Sequence, residues 1–541
     1  MSSKVATYLQ EHILGEVISS PAVLDAMSRD ASVLEITPEM VVYPRVTSDI
    51  RKVARFAWQL AEKGHVLPIT TRGGGTDQTG AALGKGIIVA TTAHMDNILE
   101  FDVKQKLVRL QPGVNTKALN DALGMHGLGI PAMPRSAAYS TIGGAIANNA
   151  SGPLSGKYGD ISKWVQQLEV VLANGDLLQT GRLSRRDLNK KKGLQTFEGE
   201  IYRSLDNLIE DNKQLIEERL GGDPRDNAGY NSLAYVKQKD GSFDLTPLFL
   251  GSQGTLGIIS EMILKSDFIS NHTAVTVAVF TSYEAARDMA DAAVGLGPAF
   301  VEYYDSEYFT QAANHGKQYS FYKDLDTLSS AVVMIGFDDF SEHARQKKQK
   351  KLAKLLEQVE VTYVSAEGEE ANELLTAREV TAYWDMQHPA TAVPLLEGAF
   401  IPPERFEDFS KALVALSEKH HVHLPLFGSR LESIYSTRPA LNLKKVGDKQ
   451  KVFKLLDEYS RLVDQHNGYL VAMAGDGRLK ARFTSSQRDE DVAGLFASVK
   501  AVFDPNGTLN PGVKQPAEVR QLVSWLRSDY NQEIPGGYVP Y

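Results

Sequence analysis

The 541-residue sequence contains no cysteine, no long apolar run and no excess of basic residues. The lack of cysteine excludes disulfides, iron–sulfur clusters, thiolate zinc sites and cysteine nucleophiles, and it favours a reducing, cytoplasmic location. No run reaches the ~18 apolar residues of a membrane span, and the first residues lack the pattern of a secretory signal. The formal net charge of −9 argues against a nucleic-acid partner, for which a basic patch would be expected. The sequence predicts a soluble protein without a transmembrane segment, in which peripheral membrane contact stays open.

Short strands and amphipathic helices alternate along the chain, whose 541 residues suffice for two or three domains with large buried cores. Residues 41–44 predict a short strand and residues 86–90 a buried one, and residues 47–63 predict a helix capped by the side chains at its start. Residues 180–245 are charged and helical, which predicts a surface excursion. From residue 275 to 470, β-like runs alternate with longer helices, which predicts an antiparallel sheet covered by helices on one face. The fold class is α+β.

The most informative stretch, residues 68–80, contains three consecutive glycines: Gly73, Gly74 and Gly75. Glycine lets the backbone adopt positive φ and approach a ligand closely. Successive N–H groups form an anion nest, to which Arg72 adds a positive charge. A P-loop would end in Gly-Lys-Ser/Thr, and a dinucleotide fingerprint would space its glycines apart, so neither is present. The stretch predicts a phosphate or pyrophosphate site, with a merely flexible loop as the alternative.

A second glycine-rich region covers residues 134–160, where small residues and amides dominate. Asn and Ser side chains donate and accept hydrogen bonds, so they suit a buried polar ligand such as a flavin edge or ribityl chain. The alternative is a tightly packed loop and helix start. Further along, a glycine turn at residues 251–257 enters a buried strand, and residues 503–512 form a compact turn.

Five motifs follow one another at residues 72–76, 141–149, 157–159, 251–259 and 503–512. Together they resemble the FAD-linked oxidases of the vanillyl-alcohol oxidase and p-cresol methylhydroxylase (PCMH) group, nearest the D-lactate, glycolate and D-2-hydroxyglutarate dehydrogenases. The resemblance implies a PCMH-type FAD-binding domain of two subdomains and a substrate (cap) domain. The predicted divisions are a lead-in at residues 1–40, the FAD-binding domain at 41–270, the substrate domain at 271–470, a segment returning to the flavin at 471–515 and a tail at 516–541.

By this resemblance, residues of these motifs hold FAD from its pyrophosphate to its ring and adenine ends. The predicted cofactor residues are Arg72, Gly73, Gly74, Gly75, Thr76, Asp77 and Gln78 for the pyrophosphate; Ser136, Thr141, Gly143 and Gly144 for phosphate and flavin; Asn148, Asn149, Ser151, Gly152, Tyr158 and Gly159 for the ribityl chain and ring; Gly257, Ile258 and Ile259 for the adenine; and Asn510 for the ring. Relatives with covalent flavin carry a histidine directly after the first glycines, where this chain has Thr76. A thioether link would need cysteine, so the FAD is predicted to be non-covalent.

The hydroxy-acid branch of this group has a metal site formed by two histidines and a Glu-His pair. Here Ser429 and Ser436 stand at the two histidine positions, and Met473 and Ala474 replace the pair. Methionine and alanine neither bind a hard divalent ion nor take a proton from an alcohol, so no metal is predicted. A histidine cluster at 420, 421 and 423 on a predicted strand start and a lone His388 are other candidates for a metal or a base, with polar surface as the alternative.

Arginines and one tyrosine are the candidates for substrate binding and catalysis. Arg378 matches the family residue that binds a substrate carboxylate, and Arg430, Arg438, Arg478 and Arg482 surround the altered metal motif. A guanidinium clamps a carboxylate with two hydrogen bonds. Tyr435 becomes a proton acceptor if nearby arginines lower its pKa. The alternative is a set of solvated or salt-bridged arginines.

These residues predict an FAD-dependent oxidoreductase that moves a hydride from a hydroxyl-bearing carbon to flavin N5. By resemblance, the substrate is a D-2-hydroxy acid such as lactate or glycolate, and a quinone, carrier protein or oxygen reoxidises the flavin. One alternative is a metal-independent flavin oxidase of a sugar, polyol or other alcohol. Another is an electron-transfer flavoprotein subunit or a relative without activity.

Overall fold

The computed structural model describes residues 2–221, 225–322, 330–359, 361–386 and 390–530. The strands are β1 (Glu16–Ile18), β2 (Met40–Tyr43), β3 (Ile69–Arg72), β4 (Ile87–Ala90), β5 (Ile98–Asp102), β6 (Leu107–Leu110), β7 (Leu128–Gly129), β8 (Val165–Val171), β9 (Leu177–Gln179), β10 (Ile258–Lys265), β11 (Asp267–Phe268), β12 (Ala274–Phe280), β13 (Phe300–Asp305), β14 (Ala331–Phe337), β15 (Thr362–Ala366), β16 (Thr391–Ala392), β17 (Leu396–Phe400), β18 (Leu426–Ser429), β19 (Ile434–Thr437) and β20 (Ala440–Leu441).

The helices are α1 (Ser2–His12), α2 (Pro21–Met27), α3 (Thr47–Glu62), α4 (Thr116–Gly124), α5 (Ile142–Asn148), α6 (Ser155–Tyr158), α7 (Arg185–Lys192), α8 (Phe197–Asp211), α9 (Lys213–Arg219), α10 (Thr246–Phe249), α11 (Tyr283–Val294), α12 (Glu307–Asn314), α13 (Glu342–Gln358), α14 (Glu370–Thr376), α15 (Thr381–Asp385), α16 (Phe406–His420), α17 (Val446–Gln465), α18 (Ala481–Ser486), α19 (Glu490–Phe503) and α20 (Val519–Ser524). Within the described ranges, no helix combines the length and apolarity that crossing a bilayer requires.

The described chain divides into two compact units. The first unit comprises residues 2–152, 160–267 and Val471–Leu526. The second comprises Pro153–Gly159, Phe268–Leu470 and residues 527–530. The first unit is therefore built from three separate stretches of sequence.

The first unit contains a mixed four-stranded sheet in the order β1-β2-β4-β3, in which β4 is parallel to both β2 and β3. Every residue of β4 is buried, as its continuous apolar run requires. The strands predicted at residues 41–44 and 86–90 are confirmed. The α3 helix is confirmed too, but no side chain caps it, because Asp49 accepts hydrogen bonds from Leu14 N, Gly15 N and Arg45 N instead.

A second, antiparallel sheet in the first unit has the order β5-β6-β10-β8-β9. Its β8–β9 hairpin turns at Asn174-Gly175, where Gly175 has φ +84°. The helices predicted between residues 180 and 245 are present, but they are not merely a surface excursion. Ile201, Tyr202 and Leu205 of α8 belong to the same apolar core as the sheet, since they are fully or almost fully buried with it.

The second unit is built on a sheet of seven described strands in the order β15-β12-β14-β13-β18-β19-β17. All the pairings in it are antiparallel, as predicted. Every residue of the central strands β12 and β14 is buried. Successive side chains of a strand point to opposite faces, so both faces of the sheet are covered. The predicted antiparallel sheet is confirmed, and it is buried on both faces, whereas the sequence predicted a helical cover on one face.

Candidate functional site

Strand β3 leads directly into the triple-glycine loop. A Cβ on Gly73 would overlap Thr141 Oγ1, and a Cβ on Gly74 would overlap the carbonyl oxygen of Tyr139. Gly75 has φ +71°, a conformation that favours glycine. The loop and the second glycine-rich region thus touch backbone to backbone. The structure brings the first two predicted cofactor segments together.

The Asp77 carboxylate organises the turn that follows these glycines. It accepts hydrogen bonds from Thr79 N at 2.9 Å, Ala81 N at 2.8 Å and Asn148 Nδ2 at 3.2 Å. Asp77 lies in the loop predicted to bind pyrophosphate, but its negative charge would repel a phosphate. Its contacts make it a residue that shapes the turn and fastens Asn148 to it.

The Arg72 guanidinium is buried against the loop, since a Cβ on Gly75 would overlap it. Its Nη2 donates to Arg29 O at 2.7 Å and its Nη1 to Met27 O at 3.5 Å. Burial lowers the pKa of Arg72, and no carboxylate among the described residues forms an ion pair with it. Asp30 and Asp77 act on this cation without forming an ion pair with it, and a buried guanidinium is stabilised further by an anion in direct contact. Arg72 therefore fits a position beside a pyrophosphate.

Arg478 was grouped with the substrate arginines, but its contacts are with the glycine-loop region of the first unit. Its Nε and Nη2 donate to Leu83 O at 3.1 and 2.7 Å, and Nη1 donates to Pro511 O. The side chain is buried, and burial lowers its pKa to about 10. Arg478 fastens the C-terminal segment of this unit to the chain that follows the loop.

The Asn510 side chain uses all of its hydrogen-bonding groups within the protein. Its Nδ2 donates to Ala81 O at 2.9 Å and Gln253 O at 2.8 Å. Its Oδ1 accepts from Thr70 Oγ1 and from Arg478 Nη2, each at 2.9 Å. An amide has two donor hydrogens and two acceptor lone pairs, so none is left. The predicted approach of Asn510 to the flavin ring is therefore not made by side-chain hydrogen bonds.

Thr141 is the N-cap of helix α5, and its Oγ1 accepts a hydrogen bond from Gly144 N at 3.3 Å. The C-cap is Asn149, which has the left-handed φ of +47°. Asn149 Nδ2 donates to Asn227 Oδ1 at 2.9 Å, whereas Asn149 Oδ1 is buried and has no partner among the described residues. Buried polar atoms are almost always hydrogen-bonded. The orphaned amide oxygen fits the predicted position beside a polar ligand such as the flavin.

The other predicted cofactor residues divide between the two units. Gly143 and Gly152 pack against backbone in the first unit, where a Cβ on either would overlap Pro112 or Met133. The remaining first-unit residues are Thr76, Gln78, Ser136, Ser151, Gly257, Ile258 and Ile259. Of these, Ile258 and Ile259 lie in β10 and pair with Val171 and Val170 of β8. Tyr158 and Gly159 belong to the second unit, where Tyr158 donates from its hydroxyl to Asp338 at 2.5 Å.

Two parts of the site were not identified from the sequence. Gln253 lies in the 251–259 motif, and it joins Asn148 Oδ1 at 2.7 Å to Gly477 N at 2.8 Å. Its place in the Gly251-Ser-Gln-Gly254 turn was a signal that could have been used. Asp476 forms a buried ion pair with Lys514 at 2.7 Å, and the Gly-Asp-Gly turn that contains it was the corresponding signal.

In the second unit, each predicted substrate arginine is paired with carboxylates. Arg378 Nε and Nη2 bond both oxygens of the fully buried Glu302, at 2.9 and 2.8 Å. Arg430 pairs with Asp291. These pairings correspond to the alternative considered for the sequence, salt-bridged arginines.

Arg438 pairs with both Glu397 and Asp385. Burial raises the pKa of Asp385 to about 7. Arg482, by contrast, lies on α18 of the first unit and is 41% exposed, with Glu518 at 4.0 Å. The structure therefore does not gather all of the predicted arginines in one place.

Tyr435 does not have the lowered pKa that its predicted role as a proton acceptor requires. Its side chain is fully buried, packs on Phe406 at 4.4 Å between ring centroids and receives a 3.4 Å hydrogen bond from Arg430 Nη1. Burial raises its pKa to about 12, and this outweighs the opposing effect of Arg430. The predicted direction was wrong, so the hydroxyl stays protonated at neutral pH.

We expect Tyr435→Phe to leave the pH dependence of flavin reduction unchanged below about pH 10, because Tyr435 does not titrate there. The lost hydrogen bond should lower the free energy of unfolding by about 1 kcal/mol. Stopped-flow reduction across the pH range and urea unfolding measure the two effects. The loss of a pH-dependent limb in the variant would restore Tyr435 as the base.

Ser429 and Ser436 lie on adjacent strands, β18 and β19, and their hydroxyls accept backbone hydrogen bonds from Glu432 N and Gly398 N. In the described part of the chain, no group of three or more His, Asp or Glu side chains is placed to hold a metal ion. The histidine cluster is not on a strand: His420 ends α16 and His421 is its left-handed C-cap. His388 lies outside the described residues.

Comparisons with known proteins place the chain among FAD-linked oxidases. The family model for the FAD binding domain matches residues 38–181, and that for the C-terminal domain of FAD linked oxidases matches residues 269–513. D-2-hydroxyglutarate dehydrogenase from Pantoea ananatis is 28% identical, over 98% of this chain and 54% of its own length. The glycolate oxidase subunit GlcD of Bacillus subtilis is 26% identical, over 90% of this chain and 91% of its own length.

This chain spans about half the length of the D-2-hydroxyglutarate dehydrogenases that it matches. Among solved structures, 4-ethylphenol oxidase from Gulosibacter chungangensis, in its isoeugenol complex, is similar in fold with a TM-score of 0.69. That likeness covers 96% of this chain and 98% of the oxidase at 16% sequence identity.

Proposed function

Since the chain belongs to the FAD-linked oxidases, with the PCMH-type α+β fold and the FAD cofactor that its motifs predicted, we propose that it is an FAD-dependent dehydrogenase of a D-2-hydroxy acid. One observation carries the proposal: similarity to D-2-hydroxyglutarate dehydrogenases extends over 98% of the chain and so includes its second unit. Residues 41–270 with 471–515 would bind the cofactor, and residues 271–470 would bind the substrate.

When bound, FAD supplies the hydride acceptor at flavin N5. The residues of the first unit suit its pyrophosphate, because the triple-glycine loop offers backbone N–H groups and Arg72 a buried cation. Thr76 stands where a linking histidine would be, and the chain has no cysteine, so both agree with non-covalent FAD. In the second unit, we assign the binding of the substrate carboxylate to Arg378, as the resemblance implies.

A second candidate, oxidation of a neutral alcohol or polyol, is favoured by the charges of the second unit. Arg378, Arg430 and Arg438 face four carboxylates, those of Glu302, Asp291, Asp385 and Glu397. A substrate carboxylate would have to displace one of them, and breaking a buried ion pair costs about 3–5 kcal/mol. A neutral hydroxyl group carries no such cost.

Reduced flavin needs an electron acceptor, which we propose to be a quinone, a carrier protein or oxygen. A third candidate from a different class is a flavoprotein subunit that passes electrons on without oxidising a substrate itself. The cytoplasmic location predicted from the lack of cysteine stays a prediction.

Anaerobic reduction of the bound flavin tests these candidates directly. The FAD-loaded protein is mixed with D- and L-2-hydroxy acids (lactate and 2-hydroxyglutarate), with glycolate and with glycerol and sorbitol, and flavin absorbance is followed. We expect bleaching by a D-2-hydroxy acid and not by its L enantiomer. Bleaching by polyols alone would establish the second candidate. Bleaching by dithionite alone would favour the third.

A further inference from the structure

The carboxyl group of Asp30 is buried next to the triple-glycine loop with one oxygen unused. Asp30 is 8% exposed. Its Oδ1 accepts from Ser32 N at 2.9 Å and from Ser32 Oγ at 2.5 Å. Its Oδ2 is buried and has no hydrogen-bond partner among the described residues. An unsatisfied buried carboxyl oxygen costs about 1–3 kcal/mol, so its persistence calls for an explanation.

The residues on both sides of Asp30 are bonded to the loop. Arg29 O accepts from Arg72 Nη2 at 2.7 Å, and Ala31 N donates to Gly75 O at 3.0 Å. Asp30 is thereby held between the first and last residues of the stretch Arg72 to Gly75. It lies in the lead-in segment, before the residues that match the FAD binding domain model.

The charges that act on Asp30 are those of Arg72, Asp77 and Arg478, from strand β3, the loop and the C-terminal segment. Burial, followed by repulsion from Asp77, raises the pKa of Asp30 to about 7. Nearby Arg29 and Glu35 pair with each other at 3.2 Å. With two arginines and two ionised aspartates, this group is neutral before any ligand binds.

The pyrophosphate of FAD brings two negative charges. Beside an ionised Asp30, they would leave this buried group with excess negative charge, which a low-dielectric environment penalises heavily. A protonated Asp30 removes one negative charge and turns the unused oxygen into a donor. Phosphate oxygens are the acceptors that such a donor would meet at this loop.

We propose that Asp30 donates a hydrogen bond from its carboxyl group to a pyrophosphate oxygen of FAD. The proposal rests on FAD binding and is independent of the substrate. Its consequence is that FAD binding takes up a proton. Affinity for FAD therefore falls as the pH rises above the pKa of Asp30 in the flavin-free protein, because the proton must then be taken from solvent.

Fluorescence titration of the deflavinated full chain with FAD, between about pH 6 and pH 8.5, tests the proposal. For the unchanged protein, we expect the Kd to rise up to about tenfold per pH unit above pH 7. Asp30→Asn keeps a donor but no titrating group, so its Kd should be independent of pH and close to the low-pH value. Asp96→Asn, at an exposed aspartate of the same unit, should behave as the unchanged protein.

Proton uptake gives a second readout that needs no variant. Isothermal titration of FAD into the unchanged protein at about pH 8, in two buffers of different ionisation enthalpy, should show close to one proton taken up per FAD. No uptake, or a pH slope that persists in Asp30→Asn, would overturn the proposal. Failure of the substrate panel would leave both readouts unaffected.

Discussion

Gly74→Ala protein is expected to bind FAD roughly 5- to 150-fold more weakly than the unchanged protein. Gly74 does not have a positive φ, so the added methyl acts only through its size. It would overlap the carbonyl of Tyr139, which is backbone and cannot rotate away as a side chain could. The loop must move away from the second glycine-rich segment, and restoring its position when FAD binds costs about 1–3 kcal/mol. The free energy of FAD binding becomes less favourable by that amount. Quenching of flavin fluorescence in titrations of the deflavinated protein measures the loss.

The matched control is Gly494→Ala, in helix α19 of the same unit. A Cβ at Gly494 would meet nothing within 4 Å, and alanine favours a helix by about 1 kcal/mol relative to glycine. This variant should bind FAD normally and unfold at a slightly higher urea concentration. If both variants bound FAD equally well, close packing of the loop would not matter for the cofactor.

Asn510→Ala should lower the free energy of unfolding by about 3–5 kcal/mol. The substitution removes four buried hydrogen bonds at once and leaves the carbonyls of Ala81 and Gln253 without a donor. It also places alanine at φ +42°, which asparagine tolerates better. Urea unfolding followed by circular dichroism gives the difference in free energy.

Asn467→Ala separates the two causes. Asn467 has a similar left-handed φ of +56° but is exposed. Its substitution should cost about 1 kcal/mol, the conformational part alone. Equal costs for the two variants would show that the hydrogen bonds of Asn510 contribute little.

Local patterns predicted the fold well because they depend on neighbours in sequence. A few neighbouring residues determine each of three features: the buried strand β4, the Asn-Gly turn after β8 and the glycine loop after β3. The burial of both sheet faces in the second unit was missed, because which helix covers which face is decided by long-range packing.

The roles of charged residues were predicted less well, since a charge is visible in the sequence while its partner is not. Glu302 lies 76 residues from Arg378, and Leu83 lies 395 residues from Arg478. Asp30 was missed for the same reason. Nothing in the irregular segment around Asp30 shows that it packs on the glycine loop.

The three-part first unit has a consequence for the order of events during synthesis. Thr70 and Asn510, which are hydrogen-bonded to each other, are separated by 440 residues. At roughly 5–20 residues per second, a ribosome needs about 20–90 s to make the intervening chain. Until then, the carbonyls that Asn510 satisfies at Ala81 and Gln253 have no partner from that segment. The first unit therefore cannot complete these buried hydrogen bonds until its third stretch of sequence has been made.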